Sequence, residues 1–312
     1  MSNSRIKSPK QPGIEQYFSK SETRENRASG SDKILSSRSS GPSSGFNSHQ
    51  HSLVDKRRRQ HTDHTKHRRT ADHTKMGLIF GKPDDETDCM MKFMRDKSAR
   101  DLEKYRKSYP GKVDDPEQTD NYLFYTNQLV CKPDGGLIDE IHEKWWGDYE
   151  RLEMHHGYIQ WLFPIREIGM NWHSQELQLH EVEKILADEK AKERFLKSYK
   201  MMLDFYGMKL KDEETGEVCR SENWEDRFKH LNSSVHNYLR ITRILKCLGE
   251  LGLEHYKYPV VSFLIEEAGF HRTLRNTLES CIMYWIETVK DGKQREDLRL
   301  HVKRYTRKPV QL

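Results

Sequence analysis

No stretch of the chain approaches the roughly 18 consecutive apolar residues that a membrane-spanning helix needs. The best, 258–265, is eight residues long and is interrupted by Pro259 and Ser262. The N-terminus, MSNSRIKSPK, has no apolar core, which excludes a secretory signal. Cysteine is scarce: Cys89, Cys131, Cys219, Cys247 and Cys281 are odd in number and scattered, with no C-x-x-C pair. That excludes a disulfide framework and a thiolate zinc site, and it fits reduced thiols in the nucleus or cytosol. A glycine-rich phosphate loop, a nucleophile elbow between a strand and a helix, and an H-E-x-x-H helix are also missing. Without a catalytic constellation, the sequence is expected to have no enzymatic activity, no cofactor and no metal. These absences describe a soluble intracellular protein.

The charge that is present is unevenly placed. Residues 1–75 carry 16 Lys and Arg against 7 Asp and Glu, and the remainder carries 38 against 42. The formal net charge of +5 is therefore a basic leader on a mildly acidic body. Such a leader suits an acidic partner, a nucleic acid or a nuclear-import receptor. Its 15 serines and few aliphatic side chains cannot bury a core, so disorder is expected there. Composition divides the chain into this Ser- and His-rich leader (1–75), a partly helical run-up (76–118), a helical domain (119–306) and a short tail (307–312).

Three features mark the leader. Gln11, Ile14, Tyr17 and Phe18 are spaced as Gln, two residues, an aliphatic, two residues and two aromatics. This is similar to the motif by which replication and repair proteins dock on the sliding clamp PCNA. One 3-10 turn would gather Ile14, Tyr17 and Phe18 into an apolar plug, with Gln11 at the pocket rim and Lys7, Lys10 and Lys20 favouring an acidic surface. Coincidence is the competing reading, at about 1 in 100 chains of this length. Lys56, Arg57, Arg58 and Arg59 form a candidate nuclear-import signal; a solvated charge run and weak phosphate contact are the alternatives. Asp-His-Thr-Lys occurs twice, at Asp63 and Asp72, beside further histidines, but the neighbouring cations oppose a metal ion and a local duplication explains it better.

The most distinctive stretch is 136–164. Leu137, Ile138, Ile141, Trp145, Tyr149 and Leu152 recur at helical spacing, predicting one amphipathic helix with Asp139, Glu140 and Glu143 in its first turns. Tyr158, Ile159, Trp161, Leu162 and Phe163 predict a short buried helix ended by Pro164. Adjacent His155 and His156 would diverge by about 100° on a helix and cannot share one ion. For either, a neutral core histidine donating one hydrogen bond to a carbonyl is the better reading, and with His142 and Glu153 they form no metal or acid–base site. An enzyme would instead need a solvent-open pocket holding His155 and Glu153 together.

Ile138, Asp139, His142, Trp145, the run 147–149, Glu153 and the run 155–164 resemble the signature of the opioid growth factor receptor family. The likeness continues through 169–171, 204–207, Thr215, Gly216, Asn223, Trp224, Arg227, Phe228, His236, Asn237, 239–246 and 248–252. It covers about 120–305. The family is unrelated to the seven-helix opioid receptors. The resemblance implies a non-enzymatic protein of the nucleus, with a cytoplasmic or perinuclear pool, that binds Met-enkephalin and restrains cell proliferation. It makes Trp145, Tyr149, His155, His156, Tyr158, Trp161 and Phe163 the family-signature core, and it does not name the residues that bind peptide.

Beyond 164 the apolar period stays helical. Ser174 is placed to cap a helix running to about Ala191, and Phe195, Tyr199, Met202, Leu203 and Tyr206 predict another stopped by Gly207. The segment 208–220 reads as a two-strand hairpin or long turn. Asn223 and Ser233 or Ser234 are candidate caps for the next two helices. In the second, His236, Arg240, Arg243 and Lys246 form a cationic stripe, read first as a solvated face and second as an acceptor for an acidic ligand. Further helices follow to Tyr305. The expected fold is all-α, a compact domain of about seven to ten helices with room for one small β-hairpin.

Overall fold

A computed structural model describes residues 85–306, with side-chain surroundings over 96–305. Gln11, Ile14, Tyr17 and Phe18, the basic cluster 56–59, the Asp-His-Thr-Lys repeat and the tail 307–312 lie outside the described residues. The all-α expectation holds, with one small hairpin. Among the described residues there are twelve α-helices, several only one turn long and so too short for a period to show in sequence. None is long and apolar enough to cross a membrane.

Helix α1 (Asp85–Arg106) packs on the later segment Cys281–Trp285 and the turn Ile286–Thr288, and its last turns bury Leu102 and Tyr105. The short helices α2 (Asp120–Tyr125), α3 (Ile138–Lys144), α4 (Tyr149–Met154) and α5 (Tyr158–Leu162) follow. Then come α6 (Leu179–Ala187) and the long α7 (Glu189–Phe205), against which α3 and α6 pack. Gly207, at φ +85°, ends that run as its spacing predicted. Strands β1 (Met208–Leu210) and β2 (Val218–Arg220) pair antiparallel, with Met208 opposite Arg220 and Leu210 opposite Val218. The hairpin turn needs Gly216: its φ is +77°, and a Cβ there would lie 2.4 Å from the Tyr256 ring.

The second half comprises α8 (Trp224–Ser233), α9 (His236–Glu250), α10 (Lys257–Gly269), the one-turn α11 (Leu278–Ser280) continuing as a π-helix over Cys281–Trp285, and α12 (Gly292–Thr306). The apolar faces of both halves merge into one core that includes Trp161, Phe163, Tyr199, Leu248, Leu264 and Trp285.

Three boundaries differ from the sequence reading. Neither Ser233 nor Ser234 caps α9, which starts after Val235: Ser233 ends α8, its hydroxyl bonded back to the Lys229 and His230 carbonyls, and Asn223, though it precedes α8, turns its side chain to Asp204 in place of a capping bond. The helix expected through 137–152 is two helices. Gly147 takes φ +83° and Asp148 caps α4 by accepting from the Arg151 N–H at 3.1 Å, so the chain turns between Trp145 and Tyr149 although the apolar spacing runs on. Ser174 caps no helix; its hydroxyl closes a turn onto the Asn171 carbonyl at 2.8 Å. α6 starts at Leu179, where the Gln178 N–H is held by the Glu181 carboxylate at 3.0 Å, and Asp188 separates it from α7 by capping the Ala191 N–H at 3.0 Å.

Candidate functional site

The signature stretch and the cationic stripe, 80 residues apart in sequence, form one assembly. α4 and α5 end with carbonyls that lack helical partners, and the stripe on α9 supplies the donors. Arg240 donates to the Leu152 carbonyl at 2.8 Å, to the Glu153 and His155 carbonyls at 3.1 and 3.2 Å, and to His156 Nδ1 at 3.3 Å. Arg243 donates through Nε to the Phe163 carbonyl at 2.7 Å, and burial pulls its guanidinium down to about 10. Lys246 holds the Glu167 carboxylate at 2.7 and 2.9 Å. Arg240 and Lys246 are each only 6% exposed. The solvated-face reading of this stripe is therefore overturned. Its cations are spent on the ends of α4 and α5 and on Glu167.

Glu153 joins the same helices from its side chain. His236 Nε2 lies 3.0 Å and His230 Nε2 3.4 Å from one carboxylate oxygen, and Asn237 donates to the other at 3.0 Å. Burial pushes this carboxyl up, but the bonds from His236 and Asn237 outweigh it and hold it at about 2. Arg227 can only donate, and it bonds His230 Nδ1 at 3.1 Å, so that ring carries its proton on Nε2, facing Glu153. Burial lowers the His230 pKa, with Glu153 opposing and Arg227 assisting.

The two adjacent histidines face different neighbours. His155 accepts the Gly157 N–H at 3.2 Å and lies 5.0 Å from the Trp145 ring and 6.0 Å from Tyr158. His156, expected as a core histidine, is instead exposed on the surface, its ring 6.1 Å from that of His236. Tyr158 is fully buried, with its hydroxyl on the Leu152 carbonyl at 2.9 Å. Trp161 is also buried and donates to the Lys132 carbonyl at 2.9 Å, a carbonyl shared with Asn171. Phe163 packs edge-on to Phe195 on α7. Half-exposed Tyr149 donates to Asp204 at 2.8 Å beneath the Arg227 guanidinium, which stands 4.4 Å over its ring. His142 sits deep in the core. Ser198 gives its proton to the Arg194 carbonyl at 3.0 Å and so accepts from His142 Nε2 at 2.8 Å; burial lowers this imidazole to about 4. Among the described residues no three His, Cys, Asp or Glu side chains converge as metal ligands.

The profile described as the opioid growth factor receptor conserved region matches residues 114–310. The chain belongs to the opioid growth factor receptor family. It is 50% identical over 212 residues to opioid growth factor receptor-like protein 1 of Mus musculus, covering 67% of this chain and 46% of that protein. It is 44% identical over 211 residues to the opioid growth factor receptor of Mus musculus, covering 67% and 33%. For the Homo sapiens receptor the figures are 44% over 204 residues, 65% and 30%. The chain thus spans less than half the length of these relatives. No solved structure matches it. The matched region contains the whole assembly of α4, α5, α8 and α9, including the carbonyls of Leu152, Glu153, His155 and Phe163 that accept from the α9 cations. The sequence reading missed Arg227, His230 and Asn237 as partners of this stretch. Arg227 and Asn237 had only their membership in the family likeness as a signal and His230 had none, because contacts across 80 residues leave no local period.

Proposed function

We propose that this chain is a non-enzymatic binding protein that receives an opioid peptide of the Met-enkephalin type and restrains cell proliferation from the nucleus, with a cytoplasmic or perinuclear pool. The observation that carries the reading is 44–50% identity, over the helical domain, to proteins named as receptors for opioid growth factor or as receptor-like. Glu153, His142 and His155 are each engaged in bonds that hold backbone and helices together, which favours a structural over a catalytic role for them. Titration of the full chain with Met-enkephalin, followed by tryptophan fluorescence, is expected to saturate. A flat response from folded protein would refute the peptide-receptor reading. The basic cluster Lys56, Arg57, Arg58 and Arg59 would direct import, and replacing all four by alanine is expected to shift the protein to the cytoplasm.

A second reading rests on Gln11, Ile14, Tyr17 and Phe18, whose spacing favours tethering to the PCNA clamp. A leader peptide carrying Tyr17→Ala and Phe18→Ala should lose clamp binding. Retention of the parent affinity would remove this reading.

A further inference from the structure

The three most exposed large apolar side chains among the described residues are Val113, Ile168 and Trp172, at 89%, 87% and 86%. They belong to two connections, the one between α1 and α2 and the one between α5 and α6. These loops are tightly built. Lys112 bonds Glu176 at 2.5 Å, Arg166 bonds Asp114 at 3.0 Å, the Leu179 N–H bonds Asp114 at 3.2 Å, and the Asp115 N–H bonds Gln178 at 2.9 Å. Leu179, whose own amide is in this network, is 47% exposed, and Met170 is 49% exposed. A firmly held ridge that turns a Trp and branched aliphatics outward has the composition of an interaction surface. Around Val113 its free charge is negative. Lys112 and Arg166 are committed to carboxylates, whereas exposed Asp115 and Glu117 form no ion pair among the described residues.

The chain itself carries a segment with the complementary character. Ile14, Tyr17 and Phe18 are an apolar triad, with Arg5, Lys7, Lys10 and Lys20 around it against the single acid Glu15 within residues 1–20. Sixty-six residues separate Phe18 from Asp85, where α1 begins. A coil of that length has a root-mean-square span of about 45 Å. α1 is about 33 Å long, and it leads directly into the loop that presents Val113. The tether therefore reaches, and linkage within one chain raises the effective concentration toward the millimolar range.

We propose that the Val113, Ile168 and Trp172 face is covered by the chain's own segment 11–18, so that the apolar triad of the leader is masked until a partner competes for it. This does not depend on the peptide-receptor reading. The test uses the full chain with photoreactive benzoylphenylalanine in place of Tyr17. Illumination should give adducts within one chain that map to the loops around Val113 and Ile168 and do not change on dilution. Ile168→Asp, and separately Trp172→Ala, should each lower their yield about tenfold, as loss of an anchor residue does. Both side chains lie almost entirely in solvent, so these substitutions leave the fold intact, which circular dichroism checks. Adducts mapping elsewhere, adducts between two copies, or a yield indifferent to both substitutions would overturn the proposal.

Discussion

At the scale of single residues, Arg240 is the side chain on which the signature assembly depends. It serves three carbonyls and His156, and no other residue type has donors in that planar fork. Arg240→Ala strands those buried acceptors and should cost about 3 kcal/mol or more. Arg240→Lys should recover little of it, since one ammonium cannot reach all of them; urea unfolding of the three proteins compares them. His142 gives a pH signature. Its folded pKa of about 4 lies below the ordinary value of 6.5, so the unfolded chain takes up the proton first as pH falls. Its contribution is complete above pH 6.5 and is lost as pH falls through the interval to about 4, by about 3 kcal/mol in all. His142→Gln keeps a donor for Ser198 and should flatten stability across that window. Glu153 acts in a separate window, because its depressed pKa removes stability only between 4.5 and about 2.

At the scale of elements, the sequence reading worked where one residue ends a helix and failed where a turn hides inside an unbroken apolar period. Gly207 and the 208–220 hairpin were legible, as were the buried helix of α5 and the helical period of α7. The break between α3 and α4 was not. Trp145, Tyr149 and Leu152 keep helical spacing across it, while the turn is set by one left-handed glycine and one capping aspartate. A Cβ at Gly147 would meet nothing within 4 Å, so Gly147→Ala isolates the backbone cost, about 1–2 kcal/mol. Asp148→Ala should cost about 1 kcal/mol through loss of the cap. Thermal unfolding reads both, and two unchanged midpoints would mean that this turn is not held locally.

At the scale of the whole molecule, the basic stripe on α9 was visible in the sequence, but its partners were not. A cation facing solvent and a cation facing a helix end have the same sequence, and only the packing of α9 across α4 and α5 separates them. The same holds for α1, a highly charged helix that nonetheless buries Tyr105, whose hydroxyl meets the Lys246 carbonyl at 3.0 Å and the fully buried Lys257 ammonium. The family match begins at 114, after α1 has ended. We expect Leu102→Ala to destabilise the full chain by about 2–5 kcal/mol, measured by urea unfolding, because this helix is packed against the domain. Function at this scale rests on kinship with receptors, and one experiment addresses it directly. Calorimetric titration of the full chain with Met-enkephalin, with a scrambled peptide as control, should give a saturable heat for Met-enkephalin alone. Equal, unsaturated heats for both peptides, from protein shown by circular dichroism to be helical, would contradict the account.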